Sequence, residues 1–280
     1  MDMIANEACY AGVELPDTQS QRDQTGVAIE AAGVCGLRMP ARITDIDGLH
    51  HSTVARFDLG VRVPAGQRGT HMSRLVQVAQ TWAQDLNLSA LGGRMSEVLR
   101  RLDAPAGTVT IDFPWFLHRV APKSGAPSTL DIDVSVRLNQ PRRQAASRQR
   151  VQITVPVTTL CPCSKSISDY GAHNQRSYVK VDMEPSRPVA IAAIAEIVER
   201  NASCPVYAVL KREDEKHVTE QAYRNPKFAE DLVRDVLLDL LENVQLRSVR
   251  VMSENQESIH NHAAYAVVTW PEPDEYAEPA

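Results

Sequence analysis

Two stretches of the chain concentrate side chains that can bind a metal ion or move protons. The first contains two cysteines at 161–163 and is followed, ten residues after the second of them, by His173. The second stretch, 254–262, contains two glutamates and ends with His260 and His262. One thiolate combined with imidazoles and carboxylates is the ligand set of a catalytic zinc-class ion. The spacing therefore predicts a metal-dependent enzyme.

Each residue of the first stretch also has a structural interpretation. Free cysteines are often buried as small apolar side chains, but the polar neighbours of Cys161 and Cys163 argue against deep burial. Lys165 would favour a thiolate. A single loop histidine such as His173 is usually a surface residue, yet Lys165 and Arg176 nearby provide the donors that phosphate groups require. Ligand and surface roles both stay open on spacing alone.

The acidic and histidine residues further along the chain are equally ambiguous. Strand alternation would place His260 and His262 on one face, which suits a metal or acid–base set as well as a polar hairpin loop. Glu230 flanks a helical apolar stripe. A favourable interaction with the helix N-terminus is its simpler interpretation, and a carboxylate that grips a planar base is the other. Glu215 lies in the charged segment 211–217, which is typical of a solvated surface but includes a potential ligand.

Composition limits the possible classes of protein. The 280 residues are 43% hydrophobic, which is enough for one large domain or two fused units. The net charge of −5 and the lack of a basic stripe give no indication of nucleic-acid binding. No apolar run approaches about 18 residues, so no membrane span is predicted. The N-terminus lacks a signal-peptide pattern, and five cysteines, an odd number, favour a reducing cytoplasm.

Hydrophobic periodicity divides the chain into two similar passages between two tails. Residues 1–40 are predicted to be a partly disordered tail, 41–145 a first unit, 146–271 a second unit and 272–280 an acidic tail. The first unit is predicted to contain strands at 53–63, 108–120 and 130–138 and helices at 73–86 and 97–102. The second is predicted to contain strands at 150–158, 177–182, 248–252 and 263–270 and helices at 189–200, 215–223 and 226–242.

These patterns predict an α+β fold. Hairpins imply antiparallel pairing, and the helices between the strand pairs are expected to cover one face of the sheet. The opposite face would pack inside a barrel or against another subunit. The last helix has the strongest pattern, with Asn225 as its N-cap and Pro226 at its first position.

Five ordered motifs within residues 41–271 resemble the type IB GTP cyclohydrolase family. The motifs are GTHMSR at 69–74, CPCSK at 161–165, HNQRS at 173–177, NPKF at 225–228 followed by Glu230 and Asp231, and ENQESIHNH at 254–262. The resemblance implies a tunnelling fold of two tandem ββααββ-like units in one chain, assembled as a homotetramer. It implies a hydrolase of cyclic amidine C–N bonds that converts GTP and water into 7,8-dihydroneopterin triphosphate and formate, the first step of tetrahydrofolate biosynthesis.

The resemblance also implies a divalent metal, zinc or manganese, and roles for individual residues. Its implied metal ligands are Cys161, His173, Glu215 and His260, with Cys163 as the alternative thiol. Its implied substrate-binding residues are Glu230 for the guanine edge and Lys165, Arg176 and Arg74 for the triphosphate. Its implied catalytic residues are Cys161, His262 and Glu257, the last two as candidate proton-transfer groups.

Two rival functions remain possible at this point. A deazapurine nitrile reductase of the same fold uses a nucleophilic cysteine and NADPH, but the metal-type histidine and glutamate set is against it. A non-catalytic Cys/His metal-binding module would have the ligands without turnover of GTP.

Overall fold

The computed structural model describes residues 17–19, 21–142 and 145–271. Within this part of the chain there are ten strands and six helices. The predicted acidic tail at 272–280 and residues 1–16 of the predicted N-terminal tail lie outside the described residues. No helix among the described residues is both long and apolar enough to cross a bilayer.

The helices and strands alternate in a similar order in the two halves of the chain. The first half contains β1 (Ile29–Thr44), β2 (His50–Val63), α1 (Met72–Gln84), β3 (Leu86–Asn87), α2 (Leu91–Arg101), β4 (Gly107–Val120) and β5 (Pro127–Gln140). The second half contains β6 (Arg148–Leu160), α3 (Pro162–Ile167), β7 (Asn174–Pro185), α4 (Ile191–Asn201), β8 (Cys204–Pro205), α5 (Arg212–Arg224), α6 (Ala229–Asn243), β9 (Leu246–Gln256) and β10 (Ala263–Trp270).

All ten strands belong to one sheet. Its order is β10-β9-β7-β6-β5-β4-β2-β1-β3, and β8 pairs with β6 beside this path. Every pairing is antiparallel except that of β1 with the two-residue β3. The pairing of β5 with β6 makes the sheet continuous between the two halves. The predicted α+β class with an antiparallel sheet is confirmed.

One face of the sheet forms the core. In β4 the buried side chains alternate along the strand, at Val109, Ile111, Phe113, Trp115 and Leu117. They belong to a single apolar cluster with residues of α1, α2, α4 and α6. The opposite face is polar and surrounds a cavity of about 470 Å³ lined by side chains that include Asp112, Asp133, Lys180 and Glu254. Period-2 alternation therefore separates a dry helix-covered face from a wet one.

The predicted tail over 1–40 is wrong for residues 29–40, which form most of β1. β1 pairs with β2 along its length, from Ile29 opposite Val63 to Thr44 opposite His50. The pairing register shifts twice, between Ile29 and Ala32 and again before Leu37. Such bulges insert unpaired residues and interrupt the alternation by which a strand is recognised.

The predicted start of the last helix is also wrong. Asn225 and Pro226 were expected to begin it, but α6 begins only at Ala229. The preceding segment is held by β6, because the backbone N–H of Lys227 donates to the carbonyl oxygen of Leu160 at 3.0 Å. This tertiary hydrogen bond favours extended backbone where local sequence favours a helix.

Buried carboxylates link the two halves of the chain outside the sheet. Asp45, in the β1–β2 turn, accepts a 2.7 Å hydrogen bond from the backbone N–H of Ile191 at the start of α4. Glu199 of α4 forms a paired salt bridge with Arg119 of β4, with N–O distances of 2.9 and 3.1 Å. Burial raises the pKa of Asp45 and of Glu199, although their hydrogen bonds oppose this shift.

Asp214 makes the most extensive of these links. It is buried in α5 and accepts hydrogen bonds from the backbone N–H groups of Lys123 and Ser124, from the Ser124 hydroxyl and from the N–H of Lys211. Burial alone would raise its pKa. The hydrogen bonds from Ser124 and Lys211 outweigh burial and hold the pKa well below its usual range. The β4–β5 turn is thereby fixed to the first turn of α5.

Replacement of Asp214 by asparagine is expected to destabilise the protein and to weaken the pH dependence of its stability. A carboxyl whose folded pKa lies below its unfolded value, about 3.9, stabilises the fold above that value. This contribution is lost as the pH falls through the folded pKa. Urea unfolding between neutral pH and about pH 3 measures the effect, with the exposed Asp131→Asn as control. An unaltered slope of stability against pH in Asp214→Asn would contradict the assignment.

Candidate active site

Strand pairing places Cys161 beside His173. β6 and β7 pair with Leu160 opposite Asn174, and the next residues outward are linked by a 3.1 Å hydrogen bond from the Cys161 N–H to the His173 carbonyl oxygen. Cys161 is also the N-cap of α3, and its Sγ accepts from the Ser164 N–H at 3.4 Å. The thiol and the imidazole are therefore both attached to the ends of neighbouring strands.

The cysteines differ in exposure. Cys161 is partly buried, whereas Cys163 is exposed and its thiol forms no hydrogen bond with any described residue. Cys204, which sequence reasoning did not single out, is buried in β8, and desolvation raises its pKa to about 11. A thiol with that pKa is protonated at neutral pH, as expected of a buried cysteine that packs as a small apolar side chain.

His173 connects this strand end with the β9–β10 turn. Its Nδ1 lies 3.0 Å from Gln175 Oε1, 3.5 Å from Ser258 Oγ and 4.0 Å from Glu257 Oε2. The His173 and Glu257 side chains are 15% and 13% exposed. Glu257, predicted as a proton-transfer residue, thus lies next to the predicted ligand His173 at a partly desolvated position.

The two histidines of the second stretch lie in a turn and not on a strand. β9 ends at Gln256 and β10 begins at Ala263, so His260 and His262 both project from the connection. They are exposed, and their rings stack at 17° with centroids 5.2 Å apart. The two rings are close together, but the strand alternation that was expected to place them on one face does not apply, because neither residue belongs to a strand.

The two candidate glutamates lie in the first turns of separate helices. Glu215 lies in the first turn of α5 and Glu230 in the first turn of α6. Both are exposed, and neither carboxylate forms a hydrogen bond or an ion pair with the residues that the structure describes. Their position at helix N-termini is electrostatically favourable, and their oxygens remain available as acceptors.

The three basic candidates have different surroundings. Lys165 donates to the Tyr223 carbonyl oxygen at 2.5 Å and lies 4.5 Å from the centroid of the Tyr223 ring. Arg176 lines a cavity of about 210 Å³ that it shares with Cys204. Arg74 is exposed in the first turn of α1. The chain reaches α1 from the last residues of β2, and the strand register aligns these with the first residues of β6. Cys161 follows the last residue of β6, so it lies at the other end of the strands.

The predicted four-ligand metal set is not assembled within one chain. Among the described residues, no group of three or more Cys, His, Asp or Glu side chains is arranged to hold a metal ion. Cys161 and His173 are brought together, whereas Glu215 and His260 do not join them. The adjacent pair nevertheless has the donor types of a zinc-class site, and the Nδ1 contact with Gln175 leaves Nε2 for a ligand bond.

Gln175 and Ser258 lie within the quoted motifs, but sequence reasoning did not predict that they contact His173. Gln175 occupies a core-facing position of β7, where alternation requires a buried side chain. A polar residue at a core-facing position of a strand is visible in the sequence pattern, and it indicates a specific contact because a buried amide needs hydrogen-bond partners. Ser258 lies in an exposed turn, and its place in the 254–262 motif did not indicate a contact with His173.

Comparison with known proteins gives a consistent result. A family model described as "Type I GTP cyclohydrolase folE2" matches residues 15–266. A "GTP cyclohydrolase FolE2 1" from Dechloromonas aromatica is 45% identical over 252 residues, which is 90% of this chain and 94% of the relative. A "GTP cyclohydrolase FolE2" from Neisseria gonorrhoeae is 45% identical over 257 residues, covering 92% of this chain and 99% of the relative.

Solved structures with a similar fold have unrelated sequences. The uricase from Arthrobacter globiformis superposes with a TM-score of 0.53 at 8% identity, covering 89% of this chain and 96% of that one. A hyper-thermostable uricase mutant gives a TM-score of 0.52 at 9% identity, with 89% and 94% coverage. At such low identity the likeness concerns the fold alone.

Proposed function

The chain belongs to the type I GTP cyclohydrolase FolE2 family, and from this membership we infer that it converts GTP and one water into 7,8-dihydroneopterin triphosphate and formate. It is an enzyme, a GTP cyclohydrolase. The observation that carries the reaction is the 45% identity to FolE2 relatives over about nine-tenths of the chain. The nitrile reductase and the non-catalytic metal-binding module are not favoured. The reaction is proposed as the first step of tetrahydrofolate biosynthesis, in the cytoplasm.

The proposed cofactor is a divalent metal ion, zinc or manganese, held by Cys161, His173, Glu215 and His260. The support is the adjacency of Cys161 and His173 at the strand ends and the unpaired state of the Glu215 carboxylate among the described residues. When bound, such an ion lowers the pKa of water and so supplies a nucleophile at neutral pH. Cys161 is preferred to Cys163 because its thiol is already oriented by Ser164.

The protein side chains are proposed to bind GTP and to move protons. The Glu230 carboxylate, which is unpaired among the described residues, can accept two parallel N–H bonds from the guanine edge. Lys165 and Arg176 are proposed to bind the triphosphate. Glu257 and His262 are proposed as proton-transfer groups, because both project from the connection beyond β9, where Glu257 already approaches His173.

The proposed assembly is a homotetramer of chains that each contain two tandem ββααββ-like units, as in a tunnelling fold. The order of strands and helices in the two halves supports the tandem units. Among the described residues β10 forms an edge of the sheet, and Tyr265 and Val267 are exposed there. Because Arg74 lies at the opposite end of the sheet from Cys161, its proposed contact with triphosphate is to substrate bound on a neighbouring chain.

Removal of divalent metal is expected to abolish GTP turnover, and zinc or manganese is expected to restore it. Neopterin fluorescence after oxidation reports turnover, and elemental analysis reports bound metal. Loss of a ligand is expected to cost more than about 100-fold in metal affinity, because outer-shell changes alone cost about 10- to 100-fold.

The ligand variants are Cys161→Ser, His173→Ala, Glu215→Gln and His260→Ala. Cys163→Ser and Glu213→Gln are their matched controls and should retain metal. Full turnover in the presence of excess chelator would rule out the cofactor, and nicotinamide consumption without formate would favour the reductase.

Glu230→Gln is expected to raise the KM for GTP by roughly 10- to 100-fold, because a hydrogen bond to a charged group contributes about 1.5–3 kcal/mol. Glu242→Gln, an exposed change near the other end of α6, is the control. Direct binding of guanosine separates base recognition from triphosphate recognition. Unchanged guanosine affinity in Glu230→Gln would rule out the anchor role.

Light scattering is expected to give a mass about four times the 30.9 kDa of one chain. Hybrid oligomers of Arg74→Ala and Cys161→Ser chains are expected to regain turnover that neither variant has alone, since each site would combine residues of two chains. A monomeric mass, or hybrids that remain inactive, would count against a shared site.

A further inference from the structure

The sheet core changes from apolar to polar at the end nearest His173. The core-facing residues of three neighbouring strands are apolar along most of their length, at Ile153, Val155 and Val157 of β6, Val179, Val181 and Met183 of β7, and Val249 and Val251 of β9. The last core-facing positions carry Thr159, Gln175, Ser177, Ser253 and Asn255, all buried. We call these five residues the buried polar layer.

The buried polar layer is internally hydrogen-bonded. Thr159 lies directly opposite Gln175 in the β6–β7 pairing, and Gln175 Nε2 donates to Thr159 Oγ1 at 2.9 Å. Thr159 Oγ1 and Ser177 Oγ are 2.8 Å apart, and Ser253 Oγ donates to Asn255 Oδ1 at 2.8 Å. Buried polar groups are costly unless they are satisfied, and apolar residues would fill the same positions at no such cost. The layer therefore calls for an explanation other than core packing.

Gln175 connects the layer to the proposed metal site. Its Nε2 donates a hydrogen bond to Thr159 Oγ1. Its Oε1, which can only accept, lies 3.0 Å from His173 Nδ1. This arrangement is satisfied when His173 Nδ1 carries the hydrogen, and Ser258 Oγ, 3.5 Å from the same nitrogen, can also accept it. The Glu257 carboxylate, 4.0 Å from the same nitrogen, favours the same tautomer. The other ring nitrogen, Nε2, is left with its lone pair.

We propose that Gln175 is a positioning residue that holds His173 in the Nδ1–H tautomer and so keeps Nε2 free to bind a divalent metal ion. The inference rests on the proposed metal role of His173. A histidine ligand usually donates its other N–H to an outer partner, which fixes the ring and increases its basicity. Thr159 acts one step further back, because its hydroxyl sets the orientation of the Gln175 amide.

The proposal is tested with Gln175→Met and Gln175→Glu in the full-length protein. Methionine has a similar length but removes the acceptor, whereas glutamate retains an acceptor for His173 Nδ1. Thr159→Val, an isosteric change, is a second way to release the amide. The matched control is Gln256→Met, since Gln256 is exposed and its side chain bonds to Glu254 and not to His173.

Two measurements are made on each variant. ¹⁵N NMR of the histidine rings in metal-free protein, assigned with His173→Ala, reports the tautomer. Competition with a chelator reports zinc affinity. Wild type, Gln175→Glu and Gln256→Met are expected to show Nδ1–H on His173. Gln175→Met is expected to show a mixture of tautomers and about 10- to 100-fold weaker zinc binding. Thr159→Val is expected to change both readouts in the same direction but less.

The outcomes separate this inference from the proposed metal site. A Gln175→Met protein that keeps the single Nδ1–H tautomer, or that binds zinc as tightly as wild type, overturns the role of Gln175 alone. Wild-type protein that binds no zinc overturns the metal site itself. Because the tautomer is measured without metal, it does not depend on turnover, and a purely structural role for Gln175 would alter thermal stability without altering the tautomer.

Discussion

The antiparallel pairing of β6 with β7 is the interaction on which the candidate site depends. Its register joins Cys161 to His173 at the strand ends and sets Thr159 opposite Gln175 one step inward. Because side chains alternate with a period of two, a slip of one residue would turn Gln175 toward the polar face and separate it from Thr159. The register is fixed in turn by burial of the apolar residues on the helix-covered face. Core packing thus determines the geometry of the reactive groups.

The site combines a rigid part with an open part. Cys161 and His173 adjoin the ends of paired strands and are joined by a backbone hydrogen bond, whereas Glu215 and His260 are exposed on a helix and a turn. The helix that carries Glu215 is itself fixed by the neighbouring Asp214, which accepts hydrogen bonds from the β4–β5 turn of the first half. One pair of candidate ligands is therefore fixed by the sheet, and the other pair is exposed to solvent. This division is consistent with the proposal that a neighbouring chain completes the site.

The similar structures inform about the fold of this chain, and the similar sequences inform about its function. Uricase shares the overall fold at 8% identity, so the sheet and its helices do not specify the reaction. The FolE2 relatives share 45% identity over nearly the whole chain, and this similarity identifies the activity. Within the fold, the proposed chemistry rests on the few side chains at the strand ends beside His173. The buried polar layer lies directly behind that histidine, and the proposed positioning role of Gln175 connects the two.

The sequence by itself determined the α+β class, most of the strands and helices and the family, because these follow from local periodicity and from ordered motifs. It failed at residues 29–40, where bulges break the alternation of β1, and at Pro226, where a hydrogen bond between Lys227 and β6 overrides the local helix signal. Only the tertiary structure decided that Gln175 contacts His173 and that Cys161 is more buried than Cys163. Those relations depend on register between strands and on burial, which are properties of distant segments packed together and not of any one segment.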